Sequence, residues 1–250
     1  MSDVVPEMSE PVSRRDVRPR QRNGFLLFLR DLVIILLVAL LVSFLLKTFL
    51  IRSFFIPSSS MEDTLHVDDR IIVNQLVPEV MGVEYGDVVV FKDPGGWLTP
   101  VPQTGTWIEQ SWEWLLSLVG LAAPDSNDHL IKRVIGLPGD VVTCCDATGH
   151  LTVNGIPLDE PYILTPTGAD AAPAEFEVRV PEGSMWVMGD NRYNSRDSLG
   201  HIDDPGDGFV PIDHIVGKAL VISWPVARWS VLDNYPATFE GVAEARSTSQ

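Results

Sequence analysis

His129-Leu130-Ile131-Lys132-Arg133-Val134-Ile135 (HLIKRVI) is the clearest of several short runs rich in apolar and β-branched residues. Runs of this kind, bounded by Gly, Pro, Asp or Asn, are typical of strands. Similar runs lie at residues 70–75, 87–91, 140–143, 151–153, 175–180, 185–188 and 216–223. An Asn154-Gly155 step between apolar residues predicts a tight hairpin. The chain after residue 53 is therefore expected to be mainly β.

A lysine in the middle of this opening run is unusual. Alternation along a strand places Lys132 on the same face as Leu130 and Val134, with Arg133 pointing away. Burial disfavours the ammonium form, and lowering its pKa by two to three units from about 10.4 costs roughly 3 to 4 kcal/mol. The neutral amine that results is a general base. The alternative is a lysine on an edge strand that prevents aggregation.

The stretch Ile56 to Leu65 (IPSSSMEDTL) contains three adjacent serines. One of them is a candidate nucleophile if a base takes its proton, and the alternative is a polar turn where the chain leaves a membrane. None of the five histidines lies in a recognisable catalytic motif, and no G-x-S-x-G elbow is present. Lys132 is thus the candidate base, while a Ser-His-Asp hydrolase would require one of the histidines, His66, His129, His150, His201 or His214.

An apolar segment precedes the serines. Residues 32 to 46 (LVIILLVALLVSFLL) are interrupted only by Ser43, and extension through Ile51 gives about the 20 residues that a bilayer requires. This predicts one transmembrane helix over residues 31–52. Residues 1–30 carry six arginines against four acids, which predicts a cytoplasmic tail and an extracytoplasmic domain from residue 53. A cleaved signal peptide would need a small-residue site, which KTFLIRSFFIPSSS lacks.

Length and charge limit the remaining possibilities. The 250 residues carry a formal net charge of -16, which argues against a nucleic-acid partner. One domain over residues 53–237 and a flexible tail over 238–250 are expected. Residues 95–128 hold four of the seven tryptophans and break the β rhythm. They are predicted to form an inserted helix, packed either on the β core or at the membrane interface.

Four blocks in order resemble type I signal peptidase, the membrane-bound serine/lysine protease family that removes signal peptides from exported proteins. They are IPSSSMEDTL (56–65), YGDVVVF (85–91), IKRVIGLPGD (131–140) and GDNRYNSRDS (189–198). The resemblance covers most of residues 32 to about 225, and the single helix with a short inside tail is similar to Gram-positive members.

This resemblance implies a fold and an activity. The fold is a mainly β, signal-peptidase-type β-sheet catalytic domain with a small helical insertion, preceded by one transmembrane helix. The activity is endopeptidase cleavage at Ala-x-Ala-type sites through an acyl-enzyme. The implied partners are signal-peptide-bearing preproteins, the lipid bilayer and an export translocon nearby. No cofactor and no metal are implied.

The resemblance also assigns roles residue by residue. It makes Ser60 the nucleophile and Lys132 the general base, with Ser58 beside the Ser60 backbone N–H in the oxyanion hole. Ser195 is expected to orient the lysine and Asp197 to support it. An extended substrate is expected to lie along strand edges, as in β-augmentation. Four apolar residues match substrate-pocket positions, although each would equally suit a core: Ile56, Met61, Leu65 and Ile131.

The chain departs from the family pattern at three positions. Asp63 replaces a common proline after the nucleophile, Tyr193 stands where Asp or Asn is usual, and Leu199 stands where an arginine often pairs with the supporting acid. Arg192 or Arg196 would then have to compensate. These changes affect the expected salt bridge and leave the proposed Ser60–Lys132 pair intact.

Some alternatives stay open at this stage. The adjacent Cys144 and Cys145 would form a vicinal disulfide, remain free thiols or bond between molecules. A membrane-anchored binding module, or an inactive relative, would present exported peptides without cutting them. A self-cleaving serine/lysine protease of the repressor type shares part of the scaffold, but the anchor and the outward domain count against it.

Overall fold

A computed structural model describes residues 24 to 98 and 128 to 248. The predicted Trp-rich insertion falls almost entirely on residues 99–127 and the predicted cytoplasmic tail mainly on residues 1–23, and both stretches lie outside the described residues. The chain divides into two compact units between Phe44 and Leu45.

The N-terminal helix, α1, runs over Gly24–Phe49. Within it, Leu27–Phe44 is long and apolar enough to cross a membrane, with a mean hydropathy of 2.6. The helix begins before the predicted residue 31 because the exposed side chains of Arg30 and Asp31 pair with each other and do not interrupt it. It also ends before the predicted residue 52, because Ile51 already belongs to the first strand, where it pairs with Asn74 of the second strand.

The second unit is mainly β, as predicted. Its strands, numbered along the chain, are β1 Ile51–Phe55, β2 Arg70–Asn74, β3 Val88–Lys92, β4 His129–Gly136, β5 Val141–Cys144, β6 Leu151–Val153, β7 Ile156–Pro157, β8 Phe176–Arg179, β9 Ser184–Met188, β10 Val210–Pro211, β11 Ile215–Trp224 and β12 Ser230–Val231. Short 3-10 turns occupy Leu199–His201, Ile212–His214, Val226–Arg228 and Pro236–Phe239, and a second helix, α2, covers Val242–Thr248.

These strands form two antiparallel sheets. The larger sheet has the order β1-β2-β11-β3-β4-β9-β10, with β12 paired to β11. The smaller sheet has the order β7-β6-β5-β8. β4 lies between β3 and β9 in the larger sheet, although β9 joins it only from Arg133 onward. Lys132 itself is only 3% exposed, so the interpretation as an exposed lysine that protects a strand edge is wrong.

The predicted hairpin is confirmed. Asn154 and Gly155 connect β6 to β7 with φ values of 53° and 79°. Both residues are in the left-handed region, as a two-residue turn that matches the twist of antiparallel strands requires.

The apolar faces of the two sheets build the core. Val142 of β5 and Leu151 of β6 pack in one cluster with Trp186 of β9, which joins the smaller sheet to the larger one. A second cluster lies under the serine segment and contains Ile56, Met61, Leu65 and Ile131. The serine segment is therefore seated directly on packed apolar side chains.

The C-terminal segment differs from the predicted flexible tail over residues 238–250. Phe239 and Val242 are buried in the cluster around Trp186. Arg246 of α2 forms an ion pair with the buried Asp140, at 2.7 Å. The segment is polar on average, but Phe239 and Val242 within it are part of the core. Residues 239 to 246 therefore pack against the domain.

The two adjacent cysteines are bonded to each other. Cys144 ends β5 and is buried, and it forms a disulfide with Cys145. Of the alternatives that the sequence left open, the structure takes the vicinal disulfide.

Candidate active site

The three serines follow β1 in a compact turn. The backbone amide of Ile56 donates to the carbonyl of Asp69 and anchors the start of the turn. The amides of Thr64 and Leu65 both donate to the carbonyl of Met61, which closes its end. These bonds and the apolar side chains beneath them hold Ser60 in one position.

Lys132 of β4 meets this turn from the neighbouring part of the sheet. Its Nζ lies 2.6 Å from Ser60 Oγ and 3.0 Å from the carbonyl oxygen of Ile131. Only 3% of Lys132 and 7% of Ser60 is exposed. The two residues are 72 positions apart in the chain, so their contact depends on the pairing of the strands that carry them.

Burial gives Lys132 the property that the sequence predicted. It lowers the pKa of the Lys132 amine to about 8, against the opposing effect of the carboxylates of Asp197 and Asp190. An amine with this pKa is partly neutral near neutral pH, and a neutral amine accepts a proton. The pair can therefore transfer the proton of Ser60 to Lys132.

Ser58 also lies close to the hydroxyl of Ser60. Its Oγ is 3.3 Å from Ser60 Oγ, and its side chain is exposed at the surface. A hydroxyl in this position can donate to an oxygen that develops negative charge beside Ser60. The geometry is compatible with the predicted oxyanion-hole role.

A second loop, residues 189–198, holds the serine turn in place through three hydrogen bonds. The amide of Asn191 donates to the carbonyl of Ser60, and Asn191 Nδ2 donates to the carbonyl of Ser59, both at 3.1 Å. Asn194 Nδ2 donates to Ser59 Oγ at 2.8 Å. Sequence reasoning gave no role to Ser59 or Asn194. The signal that was available is the amide-rich composition of this loop, since Asn side chains are suited to bonding backbone carbonyls.

Ser195 lies near Ser60, and among the described residues its hydroxyl makes no hydrogen bond to the amine of Lys132. Its buried Oγ has no hydrogen-bond partner among the described residues. A Cβ on Gly189 would collide with both Ser195 Oγ and the carbonyl oxygen of Ser60. Gly189 therefore allows these two residues to approach each other closely.

Asp197 is buried and bonded to backbone amides. Its two carboxylate oxygens accept hydrogen bonds from Gly189 at 2.8 Å and from Leu199 at 3.1 Å. Neither arginine that would compensate for Leu199 pairs with Asp197. Arg192 is paired with Glu160 at 2.5 Å, and Arg196 is exposed. Asp197 instead acts on Lys132 through its charge, which raises the pKa of the amine.

A buried ion pair supports the strand that carries Lys132. Arg133 and Asp190 are both fully buried and 2.7 Å apart, and Thr64 Oγ1 donates to Asp190 Oδ2 at 2.5 Å. The Arg133 guanidinium also lies 4.0 Å from the centre of the Tyr162 ring. This cluster ties three of the four motif blocks together, because Thr64, Arg133 and Asp190 each belong to a different block.

The four predicted pocket residues share one apolar cluster but differ in access. Met61 and Leu65 are fully buried. Ile56 and Ile131 line a shallow apolar depression between the end of β1 and the start of β4, together with Phe54 and Val90. Only the second pair therefore lines an accessible depression on the surface.

Within the described part of the chain, two strand edges beside this depression have no partner strand. β1 pairs only with β2, and residues 130 to 132 of β4 pair only with β3. β9 joins β4 from Arg133 onward. The rings of Phe54 and His129, one on each edge, are 5.3 Å apart. Within residues 24–98 and 128–248, no three His, Cys, Asp or Glu side chains are grouped as a metal site.

The fold and the site define a class of protein: a mainly β domain with a buried serine–lysine pair, preceded by an apolar helix long enough to span a membrane. The family model described as signal peptidase, peptidase S26, matches residues 29–224. The chain belongs to this family, and it is therefore a peptide hydrolase of the signal peptidase I kind, with a membrane anchor.

Two relatives that match most of this chain agree with this assignment. A probable signal peptidase I of Mycobacterium leprae is 38% identical over 91% of this chain and 86% of its own. A signal peptidase I of Mycobacterium tuberculosis is 38% identical over 90% of this chain and 81% of its own length. A solved signal peptidase I from Enterococcus faecalis covers 54% of this chain and 95% of its own, at 23% identity and a TM-score of 0.36. The binding-module and repressor-type alternatives gain no support.

Proposed function

We propose that this enzyme removes N-terminal signal peptides from exported preproteins at Ala-x-Ala-type sites, with Ser60 as nucleophile and Lys132 as general base. The observation that carries the proposal is the 2.6 Å separation of Ser60 Oγ and Lys132 Nζ in a buried setting. The lowered pKa of Lys132 supports it, because the amine must be neutral to accept the proton.

The reaction follows from these groups. Neutral Lys132 takes the proton of Ser60 Oγ as the oxygen attacks the scissile carbonyl carbon. The Ser58 hydroxyl and the Ser60 backbone N–H donate to the oxyanion, an interaction typically worth about 3 kcal/mol per donor. The C–N bond then breaks, and the departing amine takes the proton from Lys132. Lys132 then takes a proton from water as the water oxygen attacks the ester carbonyl carbon. The bond from that carbon to Ser60 Oγ breaks, the signal peptide leaves with a carboxylate end, and Lys132 returns the proton to Ser60 Oγ.

The open edges of β1 and β4 provide a site for the signal-peptide side of the substrate. An extended segment placed between them would pair its backbone with both strands. Its alternate side chains would point to one face, into the depression beside Ile56 and Ile131. A shallow apolar depression favours small apolar side chains at two positions separated by one residue, which is the Ala-x-Ala pattern.

Contact between the catalytic domain and the outer leaflet of the bilayer is the second part of the proposal. Four large apolar residues near the end of β11 and on β12 are exposed: Trp224, Val226, Trp229 and Val231. Exposed tryptophans beside aliphatic residues are typical of a membrane interface. We place the N-terminus in the cytoplasm, because the arginines precede the apolar helix, and the translocon nearby, because preproteins emerge from it.

The test is cleavage of a preprotein with an Ala-x-Ala site by the full-length enzyme in detergent and phospholipid. Wild type is expected to cut after the second alanine. Ser60→Ala and Lys132→Ala are expected to lose at least about a thousandfold in kcat/KM. Lys132→Arg is the matched control for charge, because it keeps the cation but cannot become neutral, and it is also expected to be inactive.

Three results would contradict the proposal. Cleavage by Ser60→Ala or Lys132→Ala at the wild-type rate would exclude the pair as the catalytic groups. Binding of the preprotein by wild type without cleavage would favour a peptide-binding role. Loss of activity on changing a single histidine to glutamine, with the serine–lysine variants active, would point to a histidine base. Thermal unfolding of each variant would verify that it is folded.

A further inference from the structure

Two large side chains are exposed on or beside the loop that bonds to the serine turn. Leu164 is 41% exposed, and Tyr193 is 42% exposed. The reaction described above uses neither residue. Tyr193 is also one of the positions at which the chain departs from its family, where Asp or Asn is usual.

The backbone sets the direction of the Leu164 side chain. Leu164 and Asn191 face each other in a parallel β-bridge, with hydrogen bonds from Leu164 N to Asp190 O and from Arg192 N to Leu164 O. Residues that face each other across a bridge direct their side chains to the same face. Asn191 directs its side chain to the carbonyl of Ser59. Leu164 therefore lies on the face that carries the serine turn.

Tyr193 lies on the same loop, between two contacts with that turn. Its hydroxyl is 3.3 Å from the carbonyl oxygens of Asp170 and Ala172, and it can donate to either. The preceding Asn191 and the following Asn194 both bond to Ser59. The ring is thus held at both ends while its face remains exposed.

The sheet determines where a cleaved chain must leave. Among the described residues, the gap between β1 and β4 has no strand beside residues 130 to 132, and it closes at Arg133, where β4 pairs with Met188 of β9. Ser60 and Lys132 lie at this closed end. A substrate whose signal-peptide side fills the gap cannot continue between the strands after the cut. Loop 189–194 follows Met188 directly and bonds to Ser59 and Ser60, so we expect the next residues of the substrate to pass over it, beside Leu164 and Tyr193.

The geometry points to Leu164 and Tyr193 as specificity-determining residues for the first two residues of the mature protein. Each presents an exposed apolar or aromatic side chain, which favours apolar or aromatic side chains there over polar or acidic ones. The net charge of -16 adds to the discrimination against acids. This inference rests on the proposed function, because it takes Ser60 as the point of cleavage.

The experiment uses preproteins that differ only in the first two residues after the cut, which are Phe-Phe, Ser-Ser or Asp-Asp. The full-length wild type is expected to cut the Phe substrate with a kcat/KM about fivefold higher than the Ser substrate, and the Asp substrate more slowly still. Leu164→Ser and Tyr193→Asn are each expected to bring the Phe-to-Ser ratio toward one. The kcat/KM for the Ser substrate should stay within about twofold of wild type.

Conservative variants separate contact from structure. Tyr193→Phe and Leu164→Met keep the apolar surface and are expected to keep the ratio. A purely structural role would lower kcat/KM for all three substrates in the same proportion. If wild type cuts all the substrates equally, or if the ratio survives in both polar variants, this inference is wrong and the proposed function stands. If wild type cuts none of them, the proposed function fails and this inference fails with it.

Discussion

The amine of Lys132 lies 2.6 Å from the hydroxyl of Ser60, and almost none of its side chain is exposed to water. This single contact joins the strand β4 to the turn after β1. It requires a buried lysine side chain, whose ammonium form is poorly solvated. The same burial should affect both the rate and the stability of the enzyme, in opposite directions.

The rate should follow the titration of Lys132. Because its pKa is lowered to about 8, the neutral base is scarce below this pH and abundant above it. We expect kcat/KM to fall about tenfold per pH unit below pH 7 and to level off above about pH 9. The pH dependence of kcat/KM is measured with a substrate that has no ionising groups in this range. A flat profile from pH 6 to 10 would exclude Lys132 as the base.

Stability should show the cost of burying this lysine. The pKa is lower in the folded state than its ordinary value of 10.5, so the unfolded chain binds the proton more tightly and stability rises with pH between about 8 and 10.5. Below pH 8 the cost is fully present, at about 3 kcal/mol. Lys132→Met removes this cost but also removes the hydrogen bond to Ser60, which is worth about 1 kcal/mol. The variant should therefore raise the free energy of unfolding near pH 7 by about 2 kcal/mol.

Chemical unfolding in detergent at pH 7 and pH 10.5 measures this difference. The gain from Lys132→Met should largely vanish at the higher pH, because the wild-type lysine is then neutral in both states. A gain that is equal at both pH values would show that packing, and not ionisation, is responsible.

Gly189 should be indispensable for the shape of the site. A Cβ there would collide with the carbonyl oxygen of Ser60 and with Ser195 Oγ. We expect Gly189→Ala to lower kcat by about a hundredfold or more, because a shift of about 1 Å in the nucleophile is enough to do so. Gly82→Ala is the control, since a Cβ on Gly82 meets no atom within 4 Å. Equal activity of the two variants would contradict this close approach.

The turn after the nucleophile should prefer glycine at position 63. Asp63 has a φ of 90° and is the third residue of the turn that the Thr64 N–H to Met61 carbonyl bond closes. We expect Asp63→Gly to stabilise the fold by about 1 kcal/mol. Asp63→Pro, which restores the common family residue, should destabilise it by about 3 kcal/mol or more, because proline cannot adopt this φ.

Thermal and chemical unfolding measure both effects. The matched control is Glu62→Gly, at a neighbouring position without a positive φ, which should be neutral or destabilising. If proline at position 63 is tolerated without loss, the turn of this chain takes the backbone conformation of its relatives, and its left-handed residue is not required.

The exposed tryptophans should matter only where a membrane is present. Trp224 and Trp229 are 56% and 67% exposed. The double variant Trp224→Ser, Trp229→Ser is expected to lower kcat/KM on a preprotein in phospholipid vesicles by about three- to tenfold. Cleavage of a soluble peptide without lipid should not change. An equal loss in both assays would indicate a structural role and not a contact with the bilayer.

Much of this structure is visible in local sequence patterns. The runs of β-branched residues coincide with β2, β3, β4, β5, β6, β8, β9 and β11 to within one residue at most ends, and Asn154-Gly155 marks the hairpin. Local patterns failed at β1. Its residues, IRSFF, continue an apolar segment, and only their pairing with β2 distinguishes them from the end of the helix. β7, β10 and β12 have two residues each, too few for a periodic pattern.

For the site, order and spacing of the four blocks were enough to select Ser60 and Lys132. The supporting contacts were not predictable in the same way. Arg133 was expected only to point away from the face of Lys132, and no sequence pattern indicated that it holds Asp190 in a fully buried ion pair. Met61 was a candidate pocket residue and is fully buried in the core. These contacts depend on which atoms surround a side chain in space. The residues next to it in the sequence carry little information about that.

By itself, the sequence determined the class of fold, the apolar helix and the identity of the two candidate catalytic residues, because each is encoded in local composition or in a specific motif. The tertiary structure decided the rest. It brings together a serine and a lysine that are 72 residues apart, through the register of β3 with β4 and the turn that follows β1. It also decides the basicity of Lys132, since burial by residues distant in the chain lowers the pKa of the amine, and the charges of Asp197 and Asp190 oppose this lowering.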